Sequence, residues 1–279
     1  MGLTVTVLVD DVSGTCGVRA EHGLAVHVRM EDCSVLFDTG QSGAALRHNA
    51  QALGVDLAAV SDLVFSHGHY DHTGGAPEFL KANPRARLFL HPDAPAPRFR
   101  RLAKPPHRAV GMPEAAAAGL ESAEGRTTWT TGPAQVASGV FVTGPIPRTH
   151  GFETGGADFC FDSQCLYPDA IPDDQALWVR TGGGPVLILG CAHAGVANTL
   201  DYVRRLSGAS RMRAVIGGMH LMDANEERLR LTCDALLSCG VEMVAPCHCT
   251  GKAAMAYLSE RLGERYRACS AGQRCVWTW

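Results

Sequence analysis

No apolar run in this 279-residue sequence reaches the roughly 18 to 20 residues that a bilayer crossing needs, so no membrane span is expected. Met1 to Asp10 offers neither a basic leader nor a small-residue cleavage site; its alternating β-branched residues read as a first strand, and the expected address is the cytoplasm. An excess of charge is missing too. A formal net charge of -3 gives no global attraction to nucleic acid, and no nucleic-acid partner is expected. The 11 cysteines are odd in number and lack the regular spacing of a secreted disulfide framework. Cys33, Cys160, Cys165, Cys233 and Cys239 sit among apolar neighbours and read as small core thiols. Cys269 and Cys275 either pair or stay free. Cys191, Cys247 and Cys249 differ, because each lies within two residues of a histidine at the end of an apolar run.

What is present is globular: 46% hydrophobic and 19% charged residues, in a length that suits one large domain over residues 1–279 with ample core. Strands are expected at 3–9, 24–30, 35–37, 63–65, 87–90, 140–143, 176–179, 186–189, 213–216 and 241–245. Helices are expected at 44–53, 74–82, 196–206, 225–239 and 252–262. Ligand-capable residues follow strand after strand: Asp38, the 67–72 cluster, Cys191 and His193, His220, and His248. That is what an active site along one edge of helix-flanked sheets requires. Between about 92 and 133 the alternation fails. Pro95, Pro97, Pro105, Pro106 and Pro113 are interleaved there with Arg98, Arg100, Arg101, Lys104 and Arg108. Such an insertion is either a basic substrate lid or a solvated loop.

The densest chemical signal is Ser66-His67-Gly68-His69-Tyr70-Asp71-His72-Thr73-Gly74-Gly75. Three imidazoles and a carboxylate in one turn suit zinc or a neighbouring transition metal, and an apolar core gains nothing from burying them unpaired. His67 and His69, two apart, suit one ion. Asp71 and His72 are adjacent, point differently and favour a second.

Together with Glu21-His22-Gly23-Leu24, Thr143-Gly144-Pro145-Ile146-Pro147-Arg148, Gly190-Cys191-Ala192-His193, Ile216-Gly217-Gly218-Met219-His220-Leu221 and Pro246-Cys247-His248-Cys249-Thr250-Gly251, this motif resembles the metallo-β-lactamase fold superfamily over nearly the whole chain. Within it, the sequence resembles the subfamily named for dihydropterin ribofuranosyl-aminobenzene phosphate synthase. The resemblance implies an α/β fold, an αββα sandwich with its metal site at one edge of two facing sheets. It implies His67 and His69 as ligands of one divalent ion, and Asp71, His72 and His248 as ligands of the other, with zinc expected and manganese or iron as substitutes. Where many members carry Gly-Asp with a bridging aspartate, this chain has Gly190-Cys191; His193 is the better ligand, and Cys191 is either a thiolate ligand or a thiol packed beneath the site. Asp38 is implied to hold the histidine loop from behind.

Arg148 suits an anionic group on the substrate, a surface salt bridge being the other reading. His150 either completes the ligand set or lines the substrate pocket, with Glu153 as a carboxylate alternative. His22 borders the pocket. His220 is a pocket residue, a proton-transfer group, a ligand or a satisfied strand-end histidine. His27, His48, His91 and His107 have no motif support.

Two close divalent ions would make a metal-activated water available near neutral pH, so the expected reaction is hydrolysis of a small, anionic phosphoester, thioester or lactone, with Asp71 and His193 at the reacting centre. The synthase resemblance implies an alternative, the coupling of a phosphorylated ribofuranosyl-aminobenzene to an activated pterin alcohol. A metal-bound sensor without turnover is a third reading. The only partner expected is the small-molecule substrate, with self-association left open.

Overall fold

The computed structural model describes residues 2–153 and 158–279. Two sheets stack face to face. The first is ordered Arg274–Thr278, Gly2–Val9, Ala25–Met30, Ser34–Phe37, Asp62–Val64, Arg87–Leu90 and Thr127–Trp129. Its pairings are antiparallel as far as Ser34–Phe37 and parallel beyond it. The second is ordered Met243–Cys247, Ala214–Gly218, Val186–Leu189, Leu177–Val179, Val140–Val142 and Ala134–Ala137. Its first two pairings are parallel and the rest antiparallel.

Period-two alternation explains the layering. Leu3, Val5, Val7, Val35, Phe37, Val64 and Phe89 of the first sheet meet Val140, Val142, Leu177, Val179, Val186, Ile188 and Ile216 of the second in one buried core. Intervening residues point outward. Leu36, Leu63, Leu88 and Leu90 pack under helices Gly43–Ala52, Ala76–Ala82 and Glu114–Glu121. Trp178, Leu187, Leu189, Val215 and Val244 pack under Val196–Ser207, Glu226–Ser238 and Lys252–Leu262. The result is the expected αββα sandwich.

Three sequence expectations need correction. The 92–133 segment is more regular than its prolines imply: it contains helix Glu114–Glu121 and strand Thr127–Trp129, which extends the first sheet. Alanines at 115–118 supply helix propensity that the flanking prolines mask. The irregular part is shorter, and carries the small ribbon Phe99–Arg100 and Arg108–Ala109, to which Phe159–Cys160 adds a third strand. Cys160 and Cys165 are not core thiols but are joined in a disulfide, whereas Cys269 and Cys275 are free. The helix expected at 74–82 begins only at Ala76, and a separate short helix that was not expected, Tyr70–Thr73, precedes it across Gly74-Gly75.

No helix among the described residues is long and apolar enough to cross a membrane. The strands ending at Val9, Phe37, Val64, Leu189, Gly218 and Cys247 bring their C-terminal ends to one edge of the sandwich, where the site forms.

Candidate metal centre

The histidine turn begins where Asp62–Val64 ends, and its backbone is anchored before its side chains are. Asp38 Oδ1 accepts the Ser66 N–H at 2.7 Å, and Asp173 Oδ2 accepts the Gly68 N–H at 2.8 Å. A Cβ at Gly68 would collide with the Ala94 carbonyl and the Arg98 guanidinium, so only glycine passes here. Arg98 is itself buried, donating from Nε to Asp169 at 2.7 Å and from Nη2 to Asp173 at 2.6 Å. A cation expected in a lid is therefore a fixed internal brace.

Around this turn the loops close into two donor groups. In the first, His67 Nε2 lies 2.9 Å from His69 Nδ1 and 3.3 Å from His193 Nε2. In the second, Asp71 Oδ2 lies 3.7 Å from His72 Nε2 and 3.4 Å from His248 Nε2, while Cys191 Sγ lies 3.1 Å from His72 Nε2. The edges of a tetrahedron of nitrogen, oxygen and sulfur around zinc measure about 3.3–3.8 Å, so the second group has close to the required spacing. The Cys191 sulfur also lies within 4.8 Å of the His67 and His72 donor atoms, between the two groups.

His69 Nε2, His193 Nδ1 and His248 Nε2 are buried with no hydrogen-bond partner among the described residues. Burial, reinforced by neighbouring imidazoles, pushes His67 and His193 well below the usual histidine range; burial pushes His69 down to about 3. Neutral imidazoles with free lone pairs are the form that ligates a metal, and His67, His69 and His193 are in it, whereas at His248 burial is outweighed by Cys249, Asp11 and Asp71, which push it above the usual histidine range. Asp71 stays ionised, because His72 and His248 outweigh its burial. The residues therefore fit a pair of divalent ions.

Backbone strain concentrates here as well. Asp38, Ala192, His220 and His248 adopt left-handed conformations, with φ of 61°, 53°, 47° and 50°. Such geometry costs energy and persists where the surroundings enforce it. Asp38 Oδ2 receives the Ser66 hydroxyl at 2.6 Å and meets His72 Nδ1 at 2.7 Å, so it holds the loop and orients the imidazole as expected.

A cavity of about 280 Å³ opens over the site, lined by His22, His69, Asp71, Cys191, His193, His220 and His248 among others. His22 lies at its mouth, 3.2 Å from Asp11 and 3.3 Å from Asp71. The His220 ring leans against His193 at a 54° tilt, with centroids 4.4 Å apart. Three of the remaining candidates stand elsewhere. His150 pairs with Asp201 at 2.8 Å on the helix Val196–Ser207, off the cavity, because the Thr149 and His150 N–H groups are caught by Asn198. Arg148 donates to the carbonyls of His193 and Ala170, so it supports the ligand loop rather than gripping a ligand. Glu153 accepts the Ala197 N–H at 2.8 Å at the start of that helix. His27, His48 and His107 bond locally to Ser34, Gly17 and Leu102.

Sequence reasoning missed Asp10 and Asp11. A register shift between Val7 and Val9 ends the first strand, and the acids follow. Asp10 accepts the His248 N–H at 2.7 Å, and Asp11 meets His248 Nδ1 at 2.9 Å. The signal was available, since a carboxylate directly after a strand is the pattern that revealed Asp38. Arg228 was also missed. It lies in the first turn of Glu226–Ser238 and lines the cavity, but its helical position resembles that of any solvated arginine.

An αββα sandwich with paired, metal-ready donor groups at its edge defines a metal-binding protein of the metallohydrolase architecture. Residues 19–248 match the Metallo-beta-lactamase superfamily, and the chain belongs to it. It is 27% identical to the 7,8-dihydropterin-6-methyl-4-(beta-D-ribofuranosyl)-aminobenzene-5'-phosphate synthase of Methanocaldococcus jannaschii, across 97% of this chain and 95% of that protein. The resemblance expected from the motifs is thereby met. A solved structure, Tm1679, described as a metal-dependent hydrolase of the beta-lactamase superfamily, is 29% identical with a TM-score of 0.81, covering 98% of both chains. The metallo-beta-lactamase fold protein YhfI from Bacillus subtilis, at 12% identity and a TM-score of 0.61 over 99% of both chains, shares the fold.

Proposed function

We propose that this chain is a binuclear metal-dependent hydrolase of a small anionic substrate. The observation that carries the reading is adjacency: two donor groups meeting at Cys191 open onto one cavity whose wall includes Arg100, Arg108 and Arg228. Divalent ions held there would supply Lewis acidity towards a substrate oxygen and lower the pKa of a bound water.

The chain's own residues supply binding and orientation. The Arg228 guanidinium is largely buried and pairs through Nη2 with the Glu153 carboxylate at 3.6 Å, while its Nε has no hydrogen-bond partner among the described residues, which supports a role in gripping an anionic group with its free edge. The rings of Phe159 and Tyr70 on the same wall support a flat apolar portion beside that anion. His69 and His193 pack against Phe159, with centroids at 4.8 and 5.4 Å, which keeps that side of the reacting centre dry. Asp71, held ionised between two imidazoles, is suited to orient an attacking nucleophile. The cavity volume favours a small-molecule partner. Nine free cysteines against one disulfide support a reducing, cytoplasmic setting.

The 27% identity over 97% of the chain favours a second reading on the same site, coupling of a pterin alcohol to a phosphorylated ribofuranosyl-aminobenzene. Metal analysis of protein purified without chelator should give about two ions per chain, and substantially less than one overturns the binuclear reading. A turnover panel of phosphoester, thioester and lactone substrates, followed by a pterin-coupling assay, separates hydrolysis from synthesis. Coupling without hydrolysis of any of the panel replaces the first reading by the second.

A further inference from the structure

Two thiols meet at the metal centre, and the donor groups described above use one of them. The second, Cys249, follows His248 in the short 3-10 turn His248–Thr250. Its sulfur lies on the cavity wall, within 4.8 Å of both the Cys191 and His248 donor atoms. Its surroundings are those of a ligand rather than of a packed apolar thiol. Cys249 Sγ accepts the His220 backbone N–H at 3.3 Å, the kind of contact that fixes the direction of a ligating sulfur. Beneath it, Gly218 is bare, and a Cβ there would stand 2.7 Å from the sulfur, so the fold leaves room for Cys249 beside Cys191. Close by, His220 Nδ1 and His248 Nε2 are buried without hydrogen-bond partners among the described residues. Sulfur and imidazole donors are therefore gathered around one point, where the Cys249 sulfur also reaches the Cys191 carbonyl at 3.7 Å.

We propose that Cys249 is a further ligand of the second metal position, adding a second sulfur beside Cys191 and His248 to the donor group that Asp71 and His72 share. The inference rests on the binuclear reading above. Sulfur donors favour a borderline-soft cation such as zinc, cobalt(II) or ferrous iron and disfavour magnesium and calcium, which take oxygen ligands. The position is then selective by donor chemistry as well as by geometry.

The test uses the full chain loaded with cobalt(II), whose sulfur bonds give a charge-transfer absorption in the near ultraviolet. Wild type should show this band; Cys249→Ser should retain its cobalt, as measured by elemental analysis, and lose about half of the band per ion. An undiminished band in Cys249→Ser overturns the assignment. Failure of the wild type to take up cobalt overturns the binuclear reading and this assignment with it. A second measurement needs no substitution and so does not depend on the variant folding. In the zinc-loaded wild type, Cys249 should be alkylated at least tenfold more slowly than after chelation, read by peptide mass spectrometry. Equal rates overturn the proposal.

Discussion

Asp38 Oδ2 stands 2.7 Å from His72 Nδ1, with both side chains fully buried, so one carboxylate fixes the ring that faces the second donor group. The same carboxylate holds Ser66 through its N–H and its hydroxyl. Asp38→Asn should fold, keep one acceptor, and weaken metal binding by about 10- to 100-fold. Chelator competition on the purified variant measures this, and an unchanged affinity removes Asp38 from the role of orienting residue.

Arg98 ties Asp169 and Asp173 together beneath the histidine turn, and Asp173 in turn holds Gly68. Arg98→Met would strand two buried carboxylates, at a cost of about 3–5 kcal/mol. Urea unfolding should show this loss together with reduced metal content. A loss below about 1 kcal/mol would mean that the brace contributes little.

Arg228 should set affinity for an anionic group. Arg228→Gln removes the guanidinium charge together with its ion pair to Glu153, and should raise the Michaelis constant, or the inhibition constant of inorganic phosphate, by about 10- to 100-fold with metal content unchanged. Steady-state kinetics at low salt provides the measurement. Of the basic residues the sequence assigned to a lid, Arg100 and Arg108 line the cavity, whereas Arg101 is turned to the Cys165 carbonyl. Neutralising Arg101 should accordingly leave both constants within about twofold.

His27 gives a pH dependence separate from the metal site. Burial first, then Arg29 and Arg274, pushes it from 6.5 down to about 4, while its Nε2 bonds Ser34 at 2.8 Å. The unfolded chain binds this proton below pH 6.5 and the folded chain does so only near pH 4, so stability falls as pH drops through that window. The group alone should make the fold about 2 kcal/mol less stable at pH 5 than at pH 7. Urea unfolding of wild type and His27→Gln across that range isolates the effect. Parallel stability curves for the two proteins would show that His27 does not titrate as its burial requires.

Much of this architecture was legible from local chemistry. Period-two apolar runs located the central strands, because a strand buried between two layers has little freedom of composition. The histidine turn announced metal because no apolar core tolerates four such groups unpaired. Less was legible where the signal is short or mixed. The helix Glu114–Glu121 and the strand Thr127–Trp129 were hidden by prolines on one side, and the strand Arg274–Thr278 by its shortness and by a run of Cys, Val and Trp that lacks polar alternation at an edge.

By itself the sequence determined most of the strands and helices, the histidine turn and the ligand-capable residues at strand ends, since each depends on residues adjacent in the chain, while the sandwich was implied by the family those motifs resemble. Only the tertiary structure decided which distant groups meet. It brought Asp11 to His248 and Arg98 to Asp173, carried Cys249 to the side of Cys191, and sent His150 and Arg148 away from the cavity. Those outcomes depend on the register of the strands and on loops held in left-handed backbone, and neither property is encoded in the spacing of any one motif.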